Sequence, residues 1–154
     1  MKNKANKYSP EEVWNVLDVS GMNAYDVECH IAKSLAPLPE EIVDFVAENV
    51  VILSESISAG GTYWNFNDFY LKGKKGFILL NADLWKKSKA QIAFTVAHEV
   101  AHAYLGHSTD FCIKGEEEVA LKKERDADKL AMKWLSDEFD SKKLLKLANY
   151  LGKC

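Results

Sequence analysis

The sequence predicts an α+β fold in which a small mixed β-sheet packs against one buried helix, with additional helices at both ends of the chain. Three observations predict it. The first third has a helical pattern with start signals. The middle turns β-branched and aromatic between Gly and Lys breaks. Residues 91–107, QIAFTVAHEVAHAYLGH, then read as a helix apolar on nearly every face, and such a helix is normally enclosed by the rest of the protein.

Length and composition bound the possibilities. With 154 residues, 47% hydrophobic and 28% charged, the chain suits one globular domain over residues 1–154. It divides into a helical part (1–50), a small sheet (51–85) and a helical part that carries the candidate site (88–154). The sequence has no internal repeat, low-complexity run or Pro/Gly-rich linker. A net charge of -3 gives no strongly basic surface and leaves room only for a local basic patch, so direct nucleic-acid binding is not expected. The start, MKNKANKYSPEE, has no apolar core, and no stretch approaches the roughly 18 apolar residues of a membrane span. Neither secretion nor membrane association is expected, and a cytoplasmic location is the default. Cys29, Cys112 and Cys154 are odd in number and form no CxxC pair, which suits free thiols in a reducing compartment.

The elements follow in order. Ser9, Pro10 and Glu12 supply an N-cap, a first-turn proline and a capping-box glutamate ahead of EVWNVLDV. A second helix covers AYDVECHIAKSLA, and a third, opened by Pro39, covers EEIVDFVAENV. VVILSESI is β-branched, Gly60 and Gly61 break it, TYWNFNDFYL alternates aromatic and polar residues, and GFILLNADL follows a Gly/Lys turn. These make about three strands. Ser88 caps the apolar helix and Gly106 ends it, HSTDFCIKG forms a loop, and helices over roughly 116–135 and 141–151 complete the chain.

Residues 98–102, HEVAH, place two histidines and a glutamate in the helix that should be buried. Unpaired polar groups there cost roughly 2–7 kcal/mol on transfer scales, so something must satisfy them. A lone HExxH carries a false-positive risk, and its setting decides its weight. On a helix, positions i and i+4 lie about 40° apart, so His98 and His102 project from one face and can converge on one ion. Glu99 points about 100° away from His98, within reach of a water at the metal without being a ligand.

A third ligand is available in EEEVALKKERDADKLAMKWL. Turned at about 100° per residue, that segment gathers Ala120, Ala127, Ala131, Trp134 and Leu135 in one apolar stripe, with Glu124 and Asp128 inside it. Lys122, Arg125, Asp126, Lys129 and Lys133 fall on the opposite side. Two carboxylates aimed at a core are as costly as two buried histidines, and one shared metal site would satisfy both sets. Glu124 reads as a metal ligand, and Asp128, one turn later, as the acceptor for a histidine N–H. Its angular position nearer the stripe's edge makes Asp128 the more exposed of the two.

HExxH followed by Glu-x-x-Ala-Asp, together with FTVAHEVAHAYLGH and ERDADKLAMKWL, resembles the gluzincin-type pattern and is similar to the ImmA/IrrE family of small intracellular metallopeptidases. The likeness covers roughly residues 76–135. It implies a zincin-like fold, a zinc ion held by His98, His102 and Glu124, Glu99 as catalytic base, and Asp128 as support for a ligand. Family members are associated with cleaving or controlling helix-turn-helix repressors in mobile elements or stress responses. The implied function is therefore a zinc-dependent endopeptidase acting on an intracellular protein such as a transcriptional repressor. The rival reading is a regulatory or protein-binding module that keeps the metal without turnover.

The remaining polar and aromatic residues have plainer readings. The extended motif with glycine at 105 and histidine at 108 is absent, since Leu105 and Ser108 stand there. His107 therefore reads as a helix C-terminal residue favoured by the dipole, with contact to the site as the lesser alternative. His30 reads as partly buried and structural, and Cys112 as a small buried hydrophobe. The Trp and Tyr residues read mostly as core, with Tyr63, Trp64 and Tyr70 the candidates among them to line a substrate groove and TYWNFNDF an edge strand able to align an extended peptide.

Overall fold

Ser9 starts the first helix through the reciprocal capping box that its sequence predicts. Its hydroxyl accepts from the Glu12 backbone N–H at 3.3 Å, and its own N–H donates to the Glu12 carboxylate at 2.7 Å. The computed structural model describes residues 7–17, 19–20, 24–55, 61–64, 73–107 and 115–151. Three helices come first: α1 (Pro10–Val16), α2 (Ala24–Leu35) and α3 (Glu40–Asn49). The strands are β1 (Val19–Ser20), β2 (Val50–Glu55), β3 (Gly61–Trp64) and β4 (Gly76–Asn81). Three more helices follow the sheet: α4 (Lys89–Tyr104), α5 (Glu117–Leu135) and α6 (Ser141–Leu151).

The fold is α+β, helix-rich, with a mixed sheet in the order β1-β2-β4-β3. β1 and β4 run parallel to β2, and β3 pairs antiparallel with β4 at the edge. Among the described residues the sheet has four strands, where the sequence predicts about three. The additional one, β1, is two residues long, too short for a period of two to show. β2 buries Val50, Val51 and Ile52 in succession, as a strand covered on both faces should. In β4, buried residues alternate with half-buried ones, and Ile78 and Leu80 enter the core.

GFILLNADL is not strand throughout. Asn81 accepts from the Asp83 backbone N–H at 2.9 Å and turns the chain into a short 3-10 helix, Ala82–Lys86. A side chain that bonds the backbone two residues on offers the chain an alternative to the ladder. Trp85 in this turn donates its indole N–H to Ser54 Oγ at 3.0 Å and stacks on His30 at 5.5 Å, which ties the turn back to β2 and α2.

α4 is the hub, packing against α2, α3, α5, α6, β3 and β4. Ser88 caps it by accepting from the Gln91 N–H at 3.2 Å. Its other end closes as a Schellman motif: Gly106 takes a φ of 71°, its N–H donates to Ala103 O at 3.1 Å, and His107 N–H donates to His102 O at 2.8 Å. The core joins Phe94, Ala97 and Val100 of α4 to Leu35, Ile42, Val46, Ile78, Leu80, Leu135 and Leu144. Among the described residues no helix is long and apolar enough to cross a membrane. Tyr70, Cys112, Cys154 and the loop 108–114 lie outside the described residues, as do the side chains of Cys29, Tyr63 and Trp64.

Ile78 is 1% exposed at the junction of β4 and the helices. Ile78→Ala should destabilise the protein by about 2–5 kcal/mol, since the cavity adds to the lost transfer energy. Urea unfolding should show a lower midpoint at unchanged slope, whereas an unchanged midpoint would mean that Ile78 does not sit in the packed core.

Candidate metal centre

α4 and α5 pack side by side, and the polar residues of both apolar faces meet at their contact. His98 and His102 are each 5% exposed. His98 Nε2 lies 3.1 Å from His102 Nε2 and 3.1 Å from Glu124 Oε2, and His102 Nε2 lies 3.3 Å from Glu124 Oε1. The two imidazole rings stand edge to face, with centroids 4.6 Å apart. On the far side of His98, Nδ1 meets Asp128 Oδ1 at 2.8 Å.

Hydrogen-bond chemistry limits what this arrangement can be. A carboxylate accepts and does not donate, so the His98 Nδ1 facing Asp128 carries the proton and donates it. In the neutral ring that leaves a bare lone pair on Nε2, which faces another ring nitrogen and a carboxylate oxygen. These acceptors aimed at one buried point repel unless something positive lies among them. One proton there can bridge only one pair of donor atoms, whereas a metal cation engages all three residues. The separations suit a metal: bonds of about 2.0–2.1 Å in tetrahedral geometry place ligand atoms about 3.3–3.4 Å apart. His98, His102 and Glu124 form a group able to hold a metal ion.

The electrostatics register the same convergence. Burial opposes charge on His98, but its hydrogen bonds to Asp128 and Glu124 outweigh this and push its pKa up to about 10. Burial likewise works to raise the Glu124 pKa, yet its hydrogen bonds to His102 and His98 hold it down at about 2. His107 is lowered, first by burial and then by the neighbouring His102.

The structure brings together the two histidines, Glu124 and Asp128, all singled out in the sequence. It reverses one expectation, because the Asp128 side chain is 11% exposed and that of Glu124 27%, so Asp128 is the deeper of the pair. The helical wheel places a carboxylate by angle alone, and here the hydrogen bond to His98 draws Asp128 inward. Glu99 is half-buried on α4, on a stripe with Gln91 and Thr95 that is the less enclosed side of this helix. His30 is part-buried against Trp85, as its structural reading requires.

His107 differs from its reading as a simple dipole partner. Its Nδ1 lies 3.4 Å from His102 Nδ1, with ring centroids 5.5 Å apart. The available signal was Gly106: a Schellman end returns the residue after the glycine to the last turn, and that turn contains His102.

Two packed helices with a His-x-x-x-His pair on one and a glutamate on the other thus form a helix pair that could hold a metal ion. A family model, Peptidase U49, matches residues 88–153, from the N-cap of α4 into the end of the chain. The match supports a peptidase family, and with it a proteolytic enzyme, over the segment that carries this centre. No curated protein and no solved structure matches the chain.

The pKa shifts set a pH dependence for the protein in the presence of a chelator. The folded-state pKa of Glu124 falls from 4.5 to about 2, so its contribution is present above 4.5 and is lost as pH drops toward 2. That of His98 rises from 6.5 to about 10, so its contribution is present below 6.5 and is lost as pH climbs toward 10. Melting temperature should be highest between these windows and fall on either side. A melting profile that stays level from pH 6.5 upward would contradict the charged His98 cluster.

Proposed function

We propose that the protein is a zinc-dependent endopeptidase of gluzincin type, similar to the ImmA/IrrE metallopeptidases. Its proposed substrate is an intracellular protein, with helix-turn-helix repressors the case that the resemblance points to. The observation that carries the reading is the convergence of His98, His102 and Glu124 on one point, beside a glutamate that is not part of the group. The Peptidase U49 match over residues 88–153 supports the proteolytic part. Zinc is the proposed metal because two imidazoles and one carboxylate are the donor set of catalytic zinc sites, which use three protein ligands where structural sites use four.

In this reading His98 and His102 bind through Nε2 and Glu124 through its carboxylate. A zinc ion held there would supply Lewis acidity, polarising a peptide carbonyl and bringing the pKa of water toward about 7. Glu99 takes the proton from the attacking water and passes it to the amide nitrogen as the carbon–nitrogen bond breaks. Asp128 holds His98 in the tautomer whose Nε2 is free to ligate. The outer edge of β3 has no partner among the described strands, and β3 packs against α4. We propose this edge as the place where an extended substrate adds by strand pairing. A structural metal has no need of Glu99, and this favours the enzyme over a binding module.

Glu99→Gln should keep about one zinc per chain by elemental analysis, keep its fold and lose hydrolysis about 10²- to 10⁴-fold, since only the proton acceptor is removed. As it should bind substrate without cutting it, a pull-down with this variant identifies the substrate. Loss of zinc in Glu99→Gln would show that the residue is a ligand, and a zinc-free parent would remove the metal reading altogether.

Asp128→Ala should weaken zinc binding about 10- to 100-fold in chelator competition, while Glu124→Ala should weaken it further because a direct ligand is lost. Equal affinity in Asp128→Ala and the parent would refute its orienting role but leave the three-ligand centre standing.

A further inference from the structure

We infer that His107 is a positioning residue for His102: its Nδ1 accepts the proton on His102 Nδ1, fixing the tautomer and ring angle that leave His102 Nε2 free to ligate. The inference rests on the metal reading and extends it to the second histidine. His98 and His102 face the same requirement. Each is 5% exposed, each turns Nε2 toward Glu124, and each must therefore carry its proton on a buried Nδ1 that needs an acceptor. For His98 the acceptor is Asp128 at 2.8 Å. For His102 the atom facing Nδ1 is Nδ1 of His107 at 3.4 Å. His107 accepts there when its own proton lies on Nε2, the neutral tautomer open to a part-exposed ring.

The helix end makes this placement a consequence of the backbone. Gly106 at a φ of 71° allows the chain to reverse, and His107 N–H then closes on His102 O at 2.8 Å. One residue thus contacts His102 twice, through its backbone N–H to the carbonyl and through its ring to the ring. A histidine serving only the helix dipole would need a positive charge and could be replaced by lysine. A ring acceptor would need a lone pair where Nδ1 now lies, which asparagine can supply and lysine cannot. The 3.4 Å contact between neutral rings is longer and weaker than the charge-assisted bond to Asp128, so the effect belongs at the lower end of the range for such partners.

Zinc affinity by chelator competition tests the inference without reference to hydrolysis. His107→Ala and His107→Lys should each bind zinc about 10-fold more weakly than the parent, and His107→Asn should recover most of the loss. The visible absorption of the cobalt(II)-loaded protein should shift in His107→Ala and return toward the parent in His107→Asn, a signature that a merely structural role would not move. Circular dichroism checks that each variant folds, and if His107→Ala does not, the contrast between His107→Lys and His107→Asn decides alone. Parent-like affinity in His107→Ala, or retention by His107→Lys with loss in His107→Asn, overturns the positioning role while the metal centre stands. A parent that binds no zinc overturns both.

Discussion

Lone pairs from His98, His102 and Glu124 meet within 3.1–3.3 Å of one another at the contact between α4 and α5, and much of the surrounding architecture serves to hold them there. Such lone pairs repel unless a proton or a cation lies among them, and the two helices that carry them are fixed by packing outside the group. Ala97 and Ala101 on α4 and Ala127 and Ala131 on α5 are all fully buried. Small side chains let helix backbones come close, toward the shorter end of the roughly 8–10 Å spacing of packed helices. A glutamate on one helix can then reach two histidines on the other.

The sheet contributes by fixing where α4 begins. β4 leads into α4 through the short 3-10 helix, and a loose link there would let the motif helix slide against its neighbours. Asn81 ends the strand, Leu84 is buried, and Trp85 is held both by Ser54 and by the face of His30. Ser88 then satisfies the first turn of α4, and Gly106 closes its last. The histidines sit between a capped start and a closed end, so their ring positions follow from backbone geometry at both termini. At one of those termini the closure also delivers His107.

Much of this is legible in the residues because the strongest signals are local. The capping box at Ser9, the cap at Ser88, the glycine at 106 and the apolar stripe around Glu124 each follow from rules spanning only a few positions, and the structure matches them. The grouping of His98, His102 and Glu124 was legible for a second reason: buried polar residues at helical spacing are costly, and the cost points to a shared partner. What was not legible depends on contacts between distant segments. A two-residue strand such as β1 exists only because β2 lies beside it. The depth of Asp128 is set by His98, which lies on another helix. Asn81 carries strand and cap signals at once, and the side-chain bond to Asp83 decides between them.

The two histidines of the motif are equivalent in sequence and unequal in structure. His98 backs onto a carboxylate at 2.8 Å and stacks near Phe94, whereas His102 backs onto another imidazole at 3.4 Å. A carboxylate partner makes the ring it holds more basic and a better electron donor, and a neutral imidazole does so less. The proton that burial would otherwise exclude is retained on His98, where pairing outweighs desolvation. A proton and a metal ion therefore compete for the same lone pair, and ligation of a metal at His98 must release that proton. The affinity for the proposed metal would thereby be linked to pH through this residue.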